Sequence, residues 1–348
     1  MQLGLNLGQW GNSDPTENLL LVRAADELGY RVVWIAEAYG TDVPAVLGWL
    51  AAQTDQIDLG AGVLQIPARS PAMTAMTAAT LDALAGGRFR LGLGVSGPQV
   101  SEGWHGVRFD KPLARTREYV AIVNAVLNRE RVRFEGEHYR LPLPGGAGKP
   151  LMLSLHPVRA HIPVYLAAIG PKNLELAGEI ADGWLSIFFS TGHAAEQLER
   201  VRAGRTRRGL DMAGFDVVAS MPVVVGDDPE ACAVPVRPFA ALYLGGMGSR
   251  DENFYHALAT RMGFGAAADE VQRAFLGRDY AAAAAAVPFA FLDATSLLGP
   301  PERIAARMGE VFDAGVTTLS LMPMATAHDD RVGALRICRD ALASAGPR

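Results

Sequence analysis

Residues 57–95 read IDLGAGVLQIPARSPAMTAMTAATLDALAGGRFRLGLGV, and this stretch decides the fold. Two nearly continuous apolar runs, 57–66 and 89–95, flank a helical pattern at 71–84. The helical pattern opens on Pro71, and proline is favoured at the first position of a helix. Strands that are apolar on both faces are typical of a parallel sheet covered by helices. The stretch therefore predicts a strand–helix–strand unit of an α/β protein.

The same kind of unit recurs along the chain. Six more apolar runs, each leading into a helical pattern, lie at 3–7, 31–37, 162–168, 183–189, 217–226 and 316–323. Eight strands with helices over 348 residues predict a (β/α)8 TIM barrel. A doubly wound sheet would carry a glycine-rich dinucleotide motif after its first strand, and GQWGNSDP at 8–15 is not one.

Two longer segments interrupt the alternation. The first, at about 96–160 after the fourth strand, contains a short hairpin pattern at 132–141. The second, at about 229–300 between the seventh and eighth strands, is mostly helical. We therefore expect residues 1–348 to form a single barrel domain with these two insertions.

The charge and cysteine content exclude several classes of protein. With 32 Lys and Arg against 37 Asp and Glu, the chain has no basic excess that would favour nucleic acid. No apolar run approaches the roughly 20 residues of a membrane span, and the N-terminus lacks a signal-peptide pattern. Cys232 and Cys338 are far apart and suit a reducing compartment. We expect a cytoplasmic protein that acts on a small molecule.

Metal and nucleophile motifs are missing from the sequence. The seven histidines form no HExxH and no HxH after the first strand, so no metal site is expected. No lysine ends a strand and no GxSxG occurs, which argues against Schiff-base and serine-hydrolase chemistry. An enzyme with so few ionisable groups at its strand ends is expected to use an organic cofactor.

Small residues end three consecutive strands, the third to the fifth, at Gly62, Gly94 and Gly170. Active sites of barrels lie at the carboxyl ends of the strands, where neighbouring ends form one surface. Glycine there suits a flat ligand that lies against backbone, although small residues also relieve crowding. The helix that opens at Pro171 offers N–H groups to an anion, and Lys172 can add charge. An ordinary strand-to-helix turn is the alternative.

Few other side chains are candidates for chemistry. Glu37 follows the buried run of the second strand, so it is either a proton carrier or a structural carboxylate that binds an arginine. Glu102, Trp104 and His105 form either part of a lid or a solvated loop. An apolar substrate pocket is suggested by Trp10, Phe188, Phe189, Met247 and Phe254, although such residues are also common in cores.

Residues 57–104, 162–184 and 299–319 together resemble the bacterial luciferase-like superfamily, in its branch that uses the deazaflavin coenzyme F420. The resemblance covers most of the chain and is weakest at 229–295. It implies a TIM barrel, a homodimer and an oxidoreductase. It also implies a non-proline cis peptide at Gly62-Val63, against the back of the tricyclic ring.

The resemblance implies roles for particular residues. The loop after the fourth strand would contact the ring and ribityl chain, the turn after the fifth would bind the phosphate, and Glu37 would lie beside the ring. Ala38 stands where deazaflavin-dependent dehydrogenases often have a histidine, which places sugar-phosphate dehydrogenase chemistry in doubt. The full set implied for the cofactor is Glu37, Ala38, Gly62, Val63, Leu64, Gly94, Ser96, Gly97, Pro98, Val100, Ser101, Ala168, Ile169, Gly170 and Pro171.

Three functions follow as hypotheses. The first is hydride transfer between F420 and a small organic substrate, as a reductase, with Glu37 delivering the proton. The second keeps the fold but uses FMN as a monooxygenase. The third is a flavin-binding protein without turnover. The sequence does not identify the substrate.

Overall fold

Twelve strands and fifteen α-helices make up the described parts of the chain. The computed structural model describes residues 1–10, 14–249 and 252–344, so residues 345–348 of the predicted domain lie outside it. The strands are β1 (Gln2–Gln9), β2 (Val32–Ala36), β3 (Asp58–Ala61), β4 (Leu64–Gln65), β5 (Phe89–Gly94), β6 (Phe134–Glu135), β7 (Arg140–Leu141), β8 (Val164–Ala167), β9 (Gly183–Ile187), β10 (Asp216–Val225), β11 (Leu297–Gly299) and β12 (Thr318–Pro323).

Eight of these strands close into a parallel barrel. Their order is β1, β2, β3, β5, β8, β9, β10 and β12, and β12 pairs with β1 to complete the ring. After a break of two residues, β4 continues the line of β3 and pairs with β5. The predicted TIM barrel is thus confirmed, and β6 and β7 form the expected antiparallel hairpin.

Helices surround the barrel in chain order. Contacts join α1 to α15, α2 to α3, α3 to α5, α5 to α6, α6 to α7 and α14 to α15. The helices are α1 (Pro15–Glu27), α2 (Val43–Ala51), α3 (Pro71–Leu84), α4 (Pro98–Gly103), α5 (Pro112–Leu127), α6 (Pro171–Ile180), α7 (Thr191–Arg207), α8 (Pro229–Ala233), α9 (Arg237–Ala241), α10 (Phe254–Arg261), α11 (Gly265–Leu276), α12 (Tyr280–Ala286), α13 (Phe289–Thr295), α14 (Pro301–Asp313) and α15 (His328–Ser344).

The second insertion contains helices α8 to α13 and ends in a strand that the sequence did not predict. Residues 297–299 form β11, which pairs in parallel with 223–225 of β10. Next to this pair, the Gly226 N–H donates to the Gly299 carbonyl at 3.2 Å. The rest of the segment is mostly helical, and a run of three residues is too short for the sequence to predict as a strand.

Two large aromatic side chains pack inside the barrel together with aliphatic ones. Trp34 of β2 and Tyr165 of β8 pack edge to face, with ring centroids 5.0 Å apart. A Cβ at Gly60 would lie 2.3 Å from the Trp34 ring, and one at Gly183 would lie 2.4 Å from the Tyr165 ring. Glycine is therefore needed at both positions to admit the rings.

A charged network closes the amino-terminal end of the barrel. Arg90 Nε donates to Asp58 at 2.8 Å, and Arg90 Nη1 donates to the Tyr165 hydroxyl at 2.9 Å and to Asp216 at 3.1 Å. The Arg90 and Asp58 side chains are each 8% exposed. Arg31, half exposed, also pairs with Asp58 at 3.1 Å. The buried charges at this end are thus matched by partners.

No helix within the described ranges is long and apolar enough to cross a bilayer. Both cysteines, Cys232 and Cys338, are buried free thiols. Cys338 lies on α15 in the main core, with no exposed surface.

Candidate active site

A cavity of about 1010 Å³ opens at the carboxyl-terminal end of the barrel. Barrel strands and their following turns provide most of its lining. The segment 99–113 after β5, the first turn of α6 and the second insertion provide the rest. From the barrel come Asn6, Gly8, Gln9, Ala36, Glu37, Ala38, Tyr39, Gly62, Val63, Gln65, Gly94, Val95, Ser96, Gly97, Ala167, Ala168, Ile169, Gly170, Pro171, Leu185, Ser186, Ile187, Ser220 and Met322. This is the end at which barrel enzymes carry their active sites.

One wall of the cavity is built from the ends of β3, β5 and β8. The Gly62-Val63 peptide is cis, as the resemblance implied, and lies in the break between β3 and β4. A Cβ on Gly94 would lie 2.6 Å from Val63 Cγ2, so glycine allows the two strand ends to meet. Beyond Gly94, Ser96 has a φ of 62°, which is unusual for a residue other than glycine. These features leave a wall of backbone and small side chains.

The turn before α6 opens on the same cavity. Gly170 is the N-cap residue, and no side chain caps the helix. A Cβ at Gly170 would have no atom within 4 Å, so the space in front of the helix is open. Pro171 occupies the first turn, and Lys172 is the cation among the described lining residues. Uncapped N–H groups and one lysine suit an anionic group such as a phosphate.

Glu37 lines the cavity but is held by an arginine. Arg69 donates from Nη1 to Glu37 Oε2 at 2.6 Å and from Nη2 to Oε1 at 2.8 Å. The two side chains are 14% and 9% exposed, and Arg69 also contacts Asp42 at 2.7 Å. The hydrogen bond with Glu37 raises the pKa of Arg69 above its usual range. Of the two sequence interpretations of Glu37, the arginine-binding carboxylate is the arrangement found.

Gln65 connects Glu37 to the loop after α4. Its backbone N–H donates to Glu37 Oε2, and its side-chain Nε2 donates to the Glu37 carbonyl, both at 3.2 Å. Gln65 Oε1 then lies 2.8 Å from His105 Nε2, so the histidine donates through that nitrogen. Gln65 was not among the site residues predicted from the sequence. A polar residue in a buried strand end was the available signal.

The loop residues proposed as a lid take different positions. Trp104 lines the cavity and is two-thirds exposed, and His105 binds Gln65 beside it. Glu102 instead stays within the loop, where it accepts the Phe109 N–H at 3.0 Å and pairs with Arg108. Gln99 of α4 donates to the carbonyl of Gly248, which joins this loop to the second insertion.

Twelve of the fifteen residues implied for a cofactor lie at the cavity. The other three do not line it, for different reasons. Leu64 is fully buried in the core, Pro98 occupies the first turn of α4, and the Ser101 hydroxyl donates to the Val107 carbonyl at 2.7 Å. The twelve at the cavity are Glu37, Ala38, Gly62, Val63, Gly94, Ser96, Gly97, Val100, Ala168, Ile169, Gly170 and Pro171.

The predicted apolar pocket is only partly right. Met247 and Phe254 line the cavity. Trp10, Phe188 and Phe189 are instead buried in the core, at 6% exposure or less. Large apolar residues fill cores as readily as pockets, so composition alone could not separate the two groups.

Polar side chains from the barrel and aromatic side chains from the insertion complete the lining. Asn6 Nδ2 donates to Ser220 Oγ at 2.9 Å, between β1 and β10. Tyr243 and Tyr255 extend from the insertion. Burial raises the pKa of Tyr243 to about 12 and also raises that of Tyr255. No group of three or more metal-ligating side chains occurs in the described ranges.

Residues 3–318 match the family model described as luciferase-like monooxygenase. The chain belongs to this family. Its cavity, cis peptide and uncapped α6 therefore lie in a luciferase-like barrel. A Mycobacterium tuberculosis (strain ATCC 25618 / H37Rv) protein, provisionally named a coenzyme F420-dependent oxidoreductase, is 45% identical over 326 residues, which cover 92% of this chain and 94% of that protein.

More distant relatives of this luciferase-like protein are named as reductases. The 5,10-methylenetetrahydromethanopterin reductase of Archaeoglobus fulgidus is 30% identical over 300 residues, 85% of this chain and 86% of that enzyme. Among solved structures, the coenzyme F420-dependent tetrahydromethanopterin reductase of Methanopyrus kandleri is 23% identical and covers 99% of both chains, with a TM-score of 0.84. At that identity the structural match supports the fold.

Proposed function

We propose that this F420-dependent oxidoreductase acts as a reductase that passes a hydride to a small organic substrate. The coenzyme supplies the hydride chemistry at one carbon of its ring when it is bound. The chain supplies the binding site, the orientation of the reactants and the exclusion of water. The sequence similarity to F420-dependent oxidoreductases over most of the chain supports the choice of coenzyme.

The observation that carries the proposal is one continuous cavity in which a small-residue wall meets an uncapped helix. The wall at Gly62 and Gly97 offers backbone to a flat ring, and α6 offers N–H groups and Lys172 to a phosphate. A volume of about 1010 Å³ is at the upper end for a ligand pocket. The residues present thus fit a deazaflavin nucleotide and leave room for a small substrate.

The chain's own residues would act by positioning. Behind the wall, a Cβ on Gly62 would lie 3.0 Å from Trp34 Cβ. The wall therefore packs directly against the buried Trp34 side chain. Orientation of two reactants at contact distance accounts for much of a hydride-transfer rate. We propose that Glu37, held by Arg69 and bound to Gln65, orders the β2 and β4 ends rather than delivering a proton.

Cofactor titration tests the proposal. Purified apoprotein is titrated with F420 and, separately, with FMN, and quenching of protein fluorescence is followed. We expect F420 to bind more tightly than FMN. Tight binding of FMN with no affinity for F420 would overturn the proposal and favour the monooxygenase. Reduced F420 bound to the protein is then mixed with enones, ketones and imines, and its absorbance is followed. Inertness toward all of them would favour a binding protein without turnover.

We also propose a homodimer, formed through α2 and α3. Several large apolar side chains on these adjacent helices are exposed: Trp49 at 40%, Met73 at 51%, Met76 at 50% and Leu84 at 61%. Apolar side chains clustered on neighbouring helices favour burial against a second copy. Light scattering coupled to size exclusion should give twice the chain mass, and Met76→Glu should shift it toward the single-chain mass. A wild-type monomer would contradict this.

A further inference from the structure

Two tyrosines of the second insertion face the cavity that the barrel opens. Tyr243 lies in a π-helical turn, residues 242–246, and Tyr255 lies in the first turn of α10. Both line the cavity. A π-helical turn often occurs at a functional site. Gly246 allows this turn to lie against α11, because a Cβ there would be 2.4 Å from the Phe275 ring.

A single buried amide holds the backbone of both tyrosines. Asn253 Nδ2 donates to the carbonyl of Tyr243 at 3.1 Å and to that of Leu244 at 2.8 Å. Asn253 Oδ1 accepts from the N–H of Tyr255 at 2.9 Å and of His256 at 3.0 Å. Asn253 thus binds two carbonyls of the π-helical turn and also caps α10. One side chain therefore holds the backbone of the two tyrosines in a fixed relative position.

The two phenol rings are held by aromatic packing. They contact each other at right angles, with centroids 4.8 Å apart. Beneath them, the Phe188 ring lies 5.6 Å from that of Tyr243 and 6.2 Å from that of Tyr255. Phe188 adopts a φ of 54°, a conformation that costs a residue other than glycine about 1–2 kcal/mol. The rings are consequently constrained on several sides.

The hydroxyls of these rings, in contrast, make no hydrogen bond to any residue in the described ranges. Neither oxygen is sealed from solvent, because neither is among the buried unpaired polar atoms. They are thus available from the cavity. Burial raises the pKa of both phenols, so both stay protonated donors at physiological pH. Constrained rings with free hydroxyls are the arrangement expected of a recognition element.

The charges around the cavity limit what these donors can bind. Among the described lining residues, Lys172 is the cation, and it belongs to the α6 end proposed for the phosphate. Of the two described lining carboxylates, Glu37 is paired with Arg69, whereas Glu252 of the insertion adds negative charge near the tyrosines. An anionic substrate group beside the tyrosines would therefore be desolvated without a positive partner, which is unfavourable.

We propose that the Tyr243 and Tyr255 hydroxyls donate hydrogen bonds to the carbonyl oxygen of an uncharged, unsaturated or aromatic substrate. The inference rests on the proposed function, because the carbonyl carbon is the site that accepts a hydride. Hydrogen bonds to the oxygen draw electron density from that carbon and fix its position. The surrounding aromatic rings pack on the planar part of such a molecule.

Acetophenone and its isostere α-methylstyrene test this, because they differ only in C=O against C=CH2. Their dissociation constants are measured by saturation-transfer NMR with oxidised F420 present, so that no turnover occurs. Benzoate serves as the anionic counterpart. The variants are Tyr243→Phe and Tyr255→Phe, which keep the rings. Tyr280→Phe is the matched control, since that exposed tyrosine of α12 does not line the cavity.

We expect the wild type to prefer acetophenone, and each cavity variant to reduce that preference about 3- to 10-fold. Affinity for α-methylstyrene should stay within about twofold, benzoate should bind about tenfold more weakly than acetophenone, and Tyr280→Phe should change nothing. An unchanged preference in both variants would overturn the inference, as would benzoate binding as tight as that of acetophenone.

The F420 affinity of each variant distinguishes a failure of the proposed function from a failure of the tyrosine assignment. Wild-type protein that does not bind F420 contradicts the proposed function. F420 affinity that falls in the tyrosine variants, while the ketone preference holds, assigns the hydroxyls to the coenzyme and overturns the inference alone. Thermal unfolding of each variant checks that the fold is intact.

Discussion

The two ends of the barrel differ in whether they leave polar groups without partners. At the amino-terminal end, Arg90 is bound by Asp58, Asp216 and Tyr165, and the charges are matched. At the carboxyl-terminal end, the described contacts leave the Tyr243 hydroxyl without a partner and α6 without a side-chain cap. Satisfied polar groups stabilise a fold, whereas free ones are available to a ligand. The comparison predicts that substitutions at the first end reduce stability and that those at the second reduce binding.

Arg90→Met should produce the largest effect. It removes a buried cation and leaves carboxylates that no longer have their main partner, so we expect the free energy of unfolding to fall by about 3 kcal/mol. Urea denaturation measures it. Arg31→Met is the matched control, because Arg31 is half exposed and also pairs with Asp58. Its loss should stay below about 1 kcal/mol. Equal losses in the two variants would show that burial of the network adds nothing.

At the carboxyl-terminal end, Gly170→Asp should reduce F420 affinity without reducing the stability of the fold. Aspartate is a good N-cap residue, and the space in front of Gly170 is open, so thermal stability should not fall. Its carboxylate would occupy the N–H groups of α6 and repel a phosphate, so F420 affinity should fall about 100-fold, or about 2.7 kcal/mol.

The matched control for that variant is Gly170→Asn, which caps the helix without charge. We expect a smaller loss of F420 affinity, about tenfold, in the same fluorescence titration. If both variants bind F420 as the wild type does, the phosphate does not lie at α6.

Glu37→Gln tests a carboxylate that lines the cavity but is bound by Arg69, so that its main effect should be on stability. Losing the ion pair leaves the largely buried Arg69 with only the exposed Asp42, so we expect about 2 kcal/mol less stability. Asp42→Asn should cost under about 1 kcal/mol. The pH dependence of F420 oxidation should keep its shape in Glu37→Gln. A shifted profile with unchanged stability would restore the role of proton carrier.

Cys338→Ala should give the smallest effect, and it depends on pH. Burial raises the pKa of this thiol to about 12, whereas an unfolded thiol ionises near 9. The native protein therefore retains a proton that the unfolded chain releases, so the contribution to stability is complete below pH 9 and is lost as pH rises toward 12. In urea denaturation, the stability gap between wild type and variant should narrow by less than about 0.5 kcal/mol from pH 8 to pH 9 and by about 1 kcal/mol from pH 9 to pH 10. A constant gap would contradict the shift.

The barrel and its small-residue wall were predictable because their signals are local. Apolar runs and turns mark each strand, and barrel geometry then places Gly62, Gly94 and Gly170 at one end. The cis peptide at Gly62-Val63 came from the resemblance rather than from any physical pattern in the sequence. The roles of these residues toward a cofactor remain predictions.

The rest of the site depends on contacts between distant segments. Asn253 is readable as a helix cap, but the sequence does not reveal that it also satisfies a π-turn and fixes two tyrosines. The partnership of Glu37 with Arg69 spans 32 residues, and that of Gln65 with His105 spans 40. Trp10 and Phe188 were misplaced because apolar side chains carry no sign of whether they face a cavity or a core.

The short strand β11 has a consequence for how substrate range can change. The second insertion leaves β10 near Gly226 and returns at Gly299, and these two residues are hydrogen-bonded to each other. An excursion of some seventy residues thus begins and ends on the same spot of the barrel wall. Such a segment can be exchanged without altering the path of the barrel strands. Transplanting 227–298 between related barrels should exchange which substrates are accepted, while the barrel residues proposed to bind the coenzyme stay unchanged.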